Sequence, residues 1–166
     1  MNRRKSIITG LTAITAIASL NSTANAEETK TTNPELEKIR SLLKAHDDAM
    51  TSHDLKGVLA TLATKAVIIG TGPGEIWSGP DEIKDAYEHF FQGYDKGQQD
   101  FTYHVKFGEL SPQMGWLMAS GEVKGKKDGK DFAFPMNISL TASKASGEWK
   151  IAAMHFSTFT KEKDSK

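Results

Sequence analysis

From Pro34 onward apolar residues recur at helical spacing, at Leu36, Ile39, Leu43 and Met50, and His46 falls on the same stripe. Asn33-Pro34-Glu35 has the form of a helix start, with an N-cap residue, a proline at the first helical position and an acid in the first turn. Ser52-His53-Asp54 interrupts the pattern, and Asp54 is placed to cap a second helix carrying Leu55, Val58, Leu59 and Leu62. Ala66 to Thr71 is a short β-branched run, Thr71-Gly72-Pro73-Gly74 is a turn, and Ser78-Gly79-Pro80-Asp81-Glu82 opens a third helix with Ile83, Ala86, Tyr87, Phe90 and Phe91. After Gly93 the period becomes two. Unbroken alternation puts Phe101, Tyr103, Val105 and Phe107 on one face, and Thr102, His104 and Lys106 on the other. A second strand spans Trp116 to Val123, followed by a charged turn from Lys124 to Gly129. A third strand carries Phe132, Phe134, Met136, Ile138 and Leu140 opposite Pro135, Asn137, Ser139 and Thr141. Ala145-Ser146-Gly147 turns into a last strand, where Trp149, Ile151, Ala153, His155 and Ser157 are expected to share a face. Helices first and long strands afterwards predict an α+β fold, with helices on one face of a mostly antiparallel sheet and the last three long strands paired as a meander.

The segment before this domain reads differently. Arg3, Arg4 and Lys5 precede an apolar stretch from Ile7 to Leu20, and Ala24-Asn25-Ala26 closes it, the order of a cleavable export signal. The apolar stretch is broken by Thr9, Gly10, Thr12, Thr15 and Ser19, so it is short of the ~20 apolar residues of a membrane span. The expected organisation is a signal peptide over residues 1–26, a flexible leader over 27–33, one domain over 34–160 and a charged tail over 161–166. The expected location is a bacterial periplasm or the extracellular space, by either the general or the twin-arginine route. The chain has 21 basic and 21 acidic residues, and three of the bases lie in the export segment, so the remainder has an acidic excess. Nucleic acid is therefore not an expected partner. With no cysteine there is no disulfide framework, thiolate metal site or cysteine nucleophile.

Three segments carry a resemblance to a known family. Ala49-Met50-Thr51-Ser52-His53-Asp54-Leu55 fits a joint between two helices. Gly70-Thr71-Gly72-Pro73-Gly74-Glu75-Ile76-Trp77-Ser78-Gly79-Pro80-Asp81-Glu82-Ile83 is similar to a family segment Gly-Thr-x-Pro-Gly-Glu-x-Trp-x-Gly-x-x-x-Ile. Trp149-Lys150-Ile151 and His155-Phe156-Ser157 resemble a closing strand. The chain thus resembles the SnoaL-like branch of the nuclear-transport-factor-2-like fold, over about Glu35 to Thr160. The resemblance implies a cone, in which a curved, mostly antiparallel sheet wraps around the three helices and encloses a pocket. It implies no single activity, since this fold carries isomerases, cyclases, dehydratases, immunity factors and binders.

The candidate chemistry is sparse. His46 faces inward on its stripe, with Asp47 about 100° round the helix. The two are either an acid/base pair or a half-buried structural histidine beside a solvated acid. His155, expected inward on the last strand, is either a pocket residue or a structural hydrogen-bonding group, with Ser157, Asp47 or a tyrosine as its protein partner. Tyr103 is expected to project a hydroxyl into the pocket. The resemblance adds that such a tyrosine stabilises an enolate oxygen in isomerases of this fold. Trp77 is read as a pocket wall or an anchor, and Ser157 as a ligand contact. No dinucleotide fingerprint, zinc-protease motif or nucleophile elbow is present, so neither a cofactor nor a metal is expected. The leading expectation is an exported domain that binds a small, largely apolar ligand in its cone. The alternatives are a cofactor-independent isomerase, cyclase or dehydratase using His46, Asp47 and His155, and a homodimeric module that pairs through the outer sheet face with His104, Asn137 and Thr141.

Overall fold

The computed structural model describes residues 33–158. The expected signal peptide, all but the last residue of the expected leader, and the expected 161–166 tail lie outside the described residues. Helix α1 spans Pro34–Thr51 and α2 Leu55–Thr61, followed by strands β1 Leu62–Ile69 and β2 Ile76–Ser78. Helix α3 spans Gly79–Phe90 and runs into a 3-10 turn, Phe91–Gly93, before the long strands β3 Gln99–Leu110, β4 Met114–Lys127, β5 Lys130–Ser143 and β6 Lys150–Thr158. All six strands form one sheet in the order β2-β1-β6-β5-β4-β3. Neighbours are antiparallel except β1 and β6, which run parallel. The meander thus includes β3 as well as the three strands after it.

Local chemistry sets the helix boundaries. Asn33 accepts the Glu35 N–H at 3.0 Å, and Asp54 accepts the Gly57 N–H at 3.0 Å, so both caps form. Ser78 makes no side-chain cap; instead the Glu82 carboxylate accepts the Ser78 N–H at 2.8 Å. Leu62 continues the helical spacing of α2 but opens β1, since the chain is already extended there. The core gathers Ala49, Val58, Ile68, Ile83, Tyr87, Leu140, Ile151 and Met154 between the helices and the inner face of the sheet.

Two strands depart from unbroken alternation. In β3, Tyr103 pairs with Gly121 and Val105 with Ser120, so His104 is an extra residue. In β6, Ile151 pairs with Ala142 and Ala153 with Thr141, so Ala152 is extra. Each bulge moves the residues after it to the opposite face. Phe101 and Tyr103 face inward as expected, but Val105 and Phe107 face outward and Lys106 turns inward. Trp149 and Ile151 are buried inward, but Ala153, His155 and Ser157 lie on the outer face, and Met154 and Phe156 take the inner positions.

The glycine-rich segment that carries most of the resemblance is a braced loop. Gly70 donates to the Glu75 carbonyl at 2.8 Å, and the Glu75 carboxylate accepts the Gly72 N–H at 2.7 Å. A Cβ on Gly70 would collide with that carboxylate and lie 3.0 Å from the Trp77 ring. Farther along, Asp95 accepts the Asp128 and Gly129 N–H groups at 3.0 and 2.8 Å, tying the loop after the 3-10 turn to the tight β4–β5 turn, which is only Asp128-Gly129.

At the first turn of α1, Glu35 accepts from Trp149 Nε1 at 2.6 Å, Lys38 Nζ at 2.8 Å and Lys144 Nζ at 2.9 Å. These donors hold its carboxyl well below the ordinary range, from 4.5 to about 2. A depressed folded-state pKa adds stability above the unfolded value and loses it as pH falls toward the folded one. Glu35→Gln is expected to lower the urea midpoint at pH 7, with the gap to wild type closing between pH 4.5 and 2. A gap that stays constant over that interval would show that the charge has no part in the clamp.

Candidate functional site

Helix α1 delivers His46 into the interior at 5% exposure, and α3 delivers Tyr87 at 2%. His46 Nε2 lies 2.9 Å from the Tyr87 hydroxyl, which in turn is 4.0 Å from Met154 Sδ. His46 Nδ1 lies 3.6 Å from Asp47 Oδ1, too long for a hydrogen bond but within electrostatic reach. A carboxylate on that side favours the Nδ1–H tautomer, which makes Nε2 the acceptor and the Tyr87 O–H the donor. Burial raises the Tyr87 pKa first, and the nearby Tyr94 and Asp47 raise it further, so the phenol stays a proton donor. Asp47 itself is mostly solvent-exposed.

Across from α1, the inner wall is built by β3, β4 and β5. Phe101 and Tyr103 meet edge to face at 4.7 Å, and Phe132 and Phe134 stack at 5.8 Å. Phe101, Tyr103, Phe134, Met136 and Ile138 stand apart from the main core, and Tyr103 remains 40% exposed. Burial and then the Asp47 charge raise the Tyr103 pKa, which places the Asp47 carboxylate within electrostatic reach of both phenols.

Of the residues singled out from the sequence, His46 and Asp47 stand together on α1, and Asp47 lies within electrostatic reach of Tyr103. His155 and Ser157 do not join them, because the Ala152 bulge turns both to the outer face, so the sheet separates His155 from His46. His155 instead lines an outer groove of about 320 Å³ with Val67, Ile69, Trp116, Met118 and Thr141. Trp77 packs edge to face on Phe90 at 5.3 Å and belongs to the main core's margin, as an anchor for α3. Among the described residues no three His, Asp or Glu side chains cluster closely enough to hold a metal ion. Tyr87 was read only as part of an apolar stripe. Its signal was the hydroxyl itself, which must find a partner once the stripe is buried.

Two substitutions check these placements by urea melts. Tyr87→Phe leaves the buried His46 Nε2 unpaired and is expected to cost about 1–3 kcal/mol. His155→Ala removes an outer-face side chain and is expected to stay within about 0.5 kcal/mol of wild type. The reverse order would mean that His155, not His46, is the buried histidine.

The SnoaL-like domain family matches residues 39–161 of the chain. No curated protein sequence matches it. Among solved structures it is similar to a nuclear-transport-factor-2-like protein of unknown function from Pseudomonas putida, at 17% identity and a TM-score of 0.65, covering 78% of this chain and 90% of that one. It is also similar to a cystatin-like-fold protein from Nostoc punctiforme, at 13% identity and a TM-score of 0.62, covering 75% and 90%. A ketosteroid isomerase-like protein from Erwinia carotovora atroseptica aligns at 23% identity and a TM-score of 0.61, covering 78% and 99%. At these identities the solved structures establish the fold and nothing finer. The cone geometry and the match over residues 39–161 lead to one conclusion: the chain belongs to the SnoaL-like domain family and has the nuclear-transport-factor-2-like fold.

Proposed function

We propose that this is an exported binding domain whose cone holds a small, largely apolar molecule. The observation that carries the reading is the inner wall. Phe101, Tyr103, Phe134, Met136 and Ile138 lie on the concave face yet stay partly exposed and outside the main core. A folded chain leaves such a surface open where something else covers it. The polar groups beside it are few, Asp47, the Tyr103 hydroxyl and Lys106, which suits a ligand oriented by one or two polar contacts. The buried His46–Tyr87 pair lies behind them as support. Titration with the neutral fluorescent probe N-phenyl-1-naphthylamine tests this. Met136→Trp, which fills the cone, is expected to weaken probe binding at least tenfold, while Met118→Gln on the outer face leaves it unchanged. The opposite pattern would move the binding site to the outer face, and a wild type that binds no probe would remove the reading.

A second reading, pairing of two copies through the outer face, is favoured by a separate observation. Val67, Ile69, Val105, Phe107, Trp116 and Met118 all point outward, with Phe107 66% and Met118 55% exposed. The stripe crosses strands β1, β4 and β3, with Ala153 and His155 of β6 and Ser139 and Thr141 of β5 between them. One apolar patch that meets its own copy about a two-fold axis makes a closed dimer. Light scattering at micromolar concentration is expected to give twice the chain mass, and Phe107→Asp to halve it. A wild type that scatters as a monomer throughout would discard this reading.

A further inference from the structure

We infer that the cone selects an apolar molecule with an acidic head group, and that Lys106 is the residue that selects it. This rests on the cone-ligand reading above and gives it a chemical class. Unbroken alternation would put Lys106 on the outer face with Thr102 and His104. The His104 bulge brings it inward, opposite the buried Ala119 of β4 and on the same wall as Tyr103. Its Nζ sits 5.2 Å from the centre of the Tyr103 ring.

Along the neighbouring strands Lys124 meets Glu122, Lys126 meets Asp131 and Lys150 meets Glu148, and Lys144 just past β5 meets Glu35. Lys127 and Lys130, which flank the β4–β5 turn, make no ion pair among the described residues, and Lys127 donates to the Gln92 carbonyl. Lys106 has no carboxylate within ion-pair distance among the described residues; its partner there is an aromatic face. It is thus a cation on the rim of an apolar wall with its hydrogen-bonding capacity directed at no acid of the fold. An acidic head group is drawn to the β3 edge by Lys106, with its apolar body on Phe134, Met136 and Ile138. Asp47, within electrostatic reach of the same Tyr103, is the charge that opposes this preference. Strand β3 is the last in the sheet, so the head group keeps part of its hydration and little desolvation opposes the pairing.

An inward lysine on an edge strand also guards against edge-to-edge pairing, and the test must separate the two roles. Isothermal titration of the purified protein with decanoate, decanamide and decyltrimethylammonium, each below its micelle concentration, does so. Wild type is expected to bind decanoate about tenfold more tightly than decanamide, the effect of one charge-assisted contact. Lys106→Met is expected to abolish that preference with decanamide affinity unchanged, and Lys106→Glu to shift it toward the quaternary ammonium. Equal wild-type affinity for decanoate and decanamide would overturn the selection while leaving a cone ligand standing. A wild-type preference for the cation would overturn it in favour of Asp47. Unchanged selectivity in Lys106→Met, with new aggregation, would overturn it in favour of edge protection. No binding of any of the three would remove both the selection and the cone-ligand reading.

Discussion

A sheet that closes over three helices must bend across its strands and still present one apolar lining to them, and straight period-two strands do not bend that sharply. The bend here is made by adding residues. His104 in β3 and Ala152 in β6 each oppose no partner, and β1 shifts register against β6 between Leu62 and Val67. An extra residue kinks the strand and increases its twist. It also exchanges the two faces for every later residue on that strand. The chemistry of both surfaces follows from those two exchanges. The inner wall acquires Lys106, Met154 and Phe156, and the outer face acquires Val105, Phe107 and His155. Without the bulges His155 would lie on the inner face and Lys106 on the outer.

This explains which parts of the fold were legible in the sequence. The helices were, because caps and stripes act over three or four residues: Asn33, Asp54 and the Pro80 helix start needed no distant partner to be read. Strand β5 was legible too, since Phe132 to Leu140 alternates without a break and pairs in register with β4 throughout. Strands β3 and β6 were legible as strands but not as faces. A bulge carries no obligatory residue type, and neither His104 nor Ala152 is a glycine or asparagine that would mark one. The phase of alternation after each bulge depends on how far the sheet must turn, which is a property of the packed domain and not of the segment.

The candidate site divides along the same line. His46 and Asp47 were placed by helical geometry alone, and the structure keeps them where the stripe puts them. Tyr87, the partner of His46, stands 41 residues away, and only the packing of α3 on α1 joins the two. The segment from Gly70 to Ile83 shows the converse. It is the most specific part of the resemblance, yet its chemistry here is mechanical. Glu75 holds the loop closed through Gly70 and Gly72, and Trp77 braces α3 through Phe90. A motif can be distinctive because a turn is hard to build, without any part in binding.

The buried His46–Tyr87 pair then has a role that its burial alone would not suggest. Two apolar side chains of similar volume could fill that space, and a polar pair there must keep its hydrogen bond to avoid a desolvation cost. What the pair adds is direction. An apolar stripe tolerates some rotation of α1 about its axis, whereas a hydrogen bond of 2.9 Å to one atom of α3 does not. Fixing His46 fixes Asp47, which lies about 100° further round the helix. The acid is thereby held within electrostatic reach of Tyr103, although like Asp48 it stays mostly exposed. The Glu35 contact with Trp149 and Lys144 pins the other end of the same helix to the turn between β5 and β6. With α1 fixed at both points against the curved sheet, Asp47 on the helix and Lys106 on the bulged strand both come within electrostatic reach of Tyr103. The rotation of one helix and the bulge in one strand together decide which charges stand beside that ring.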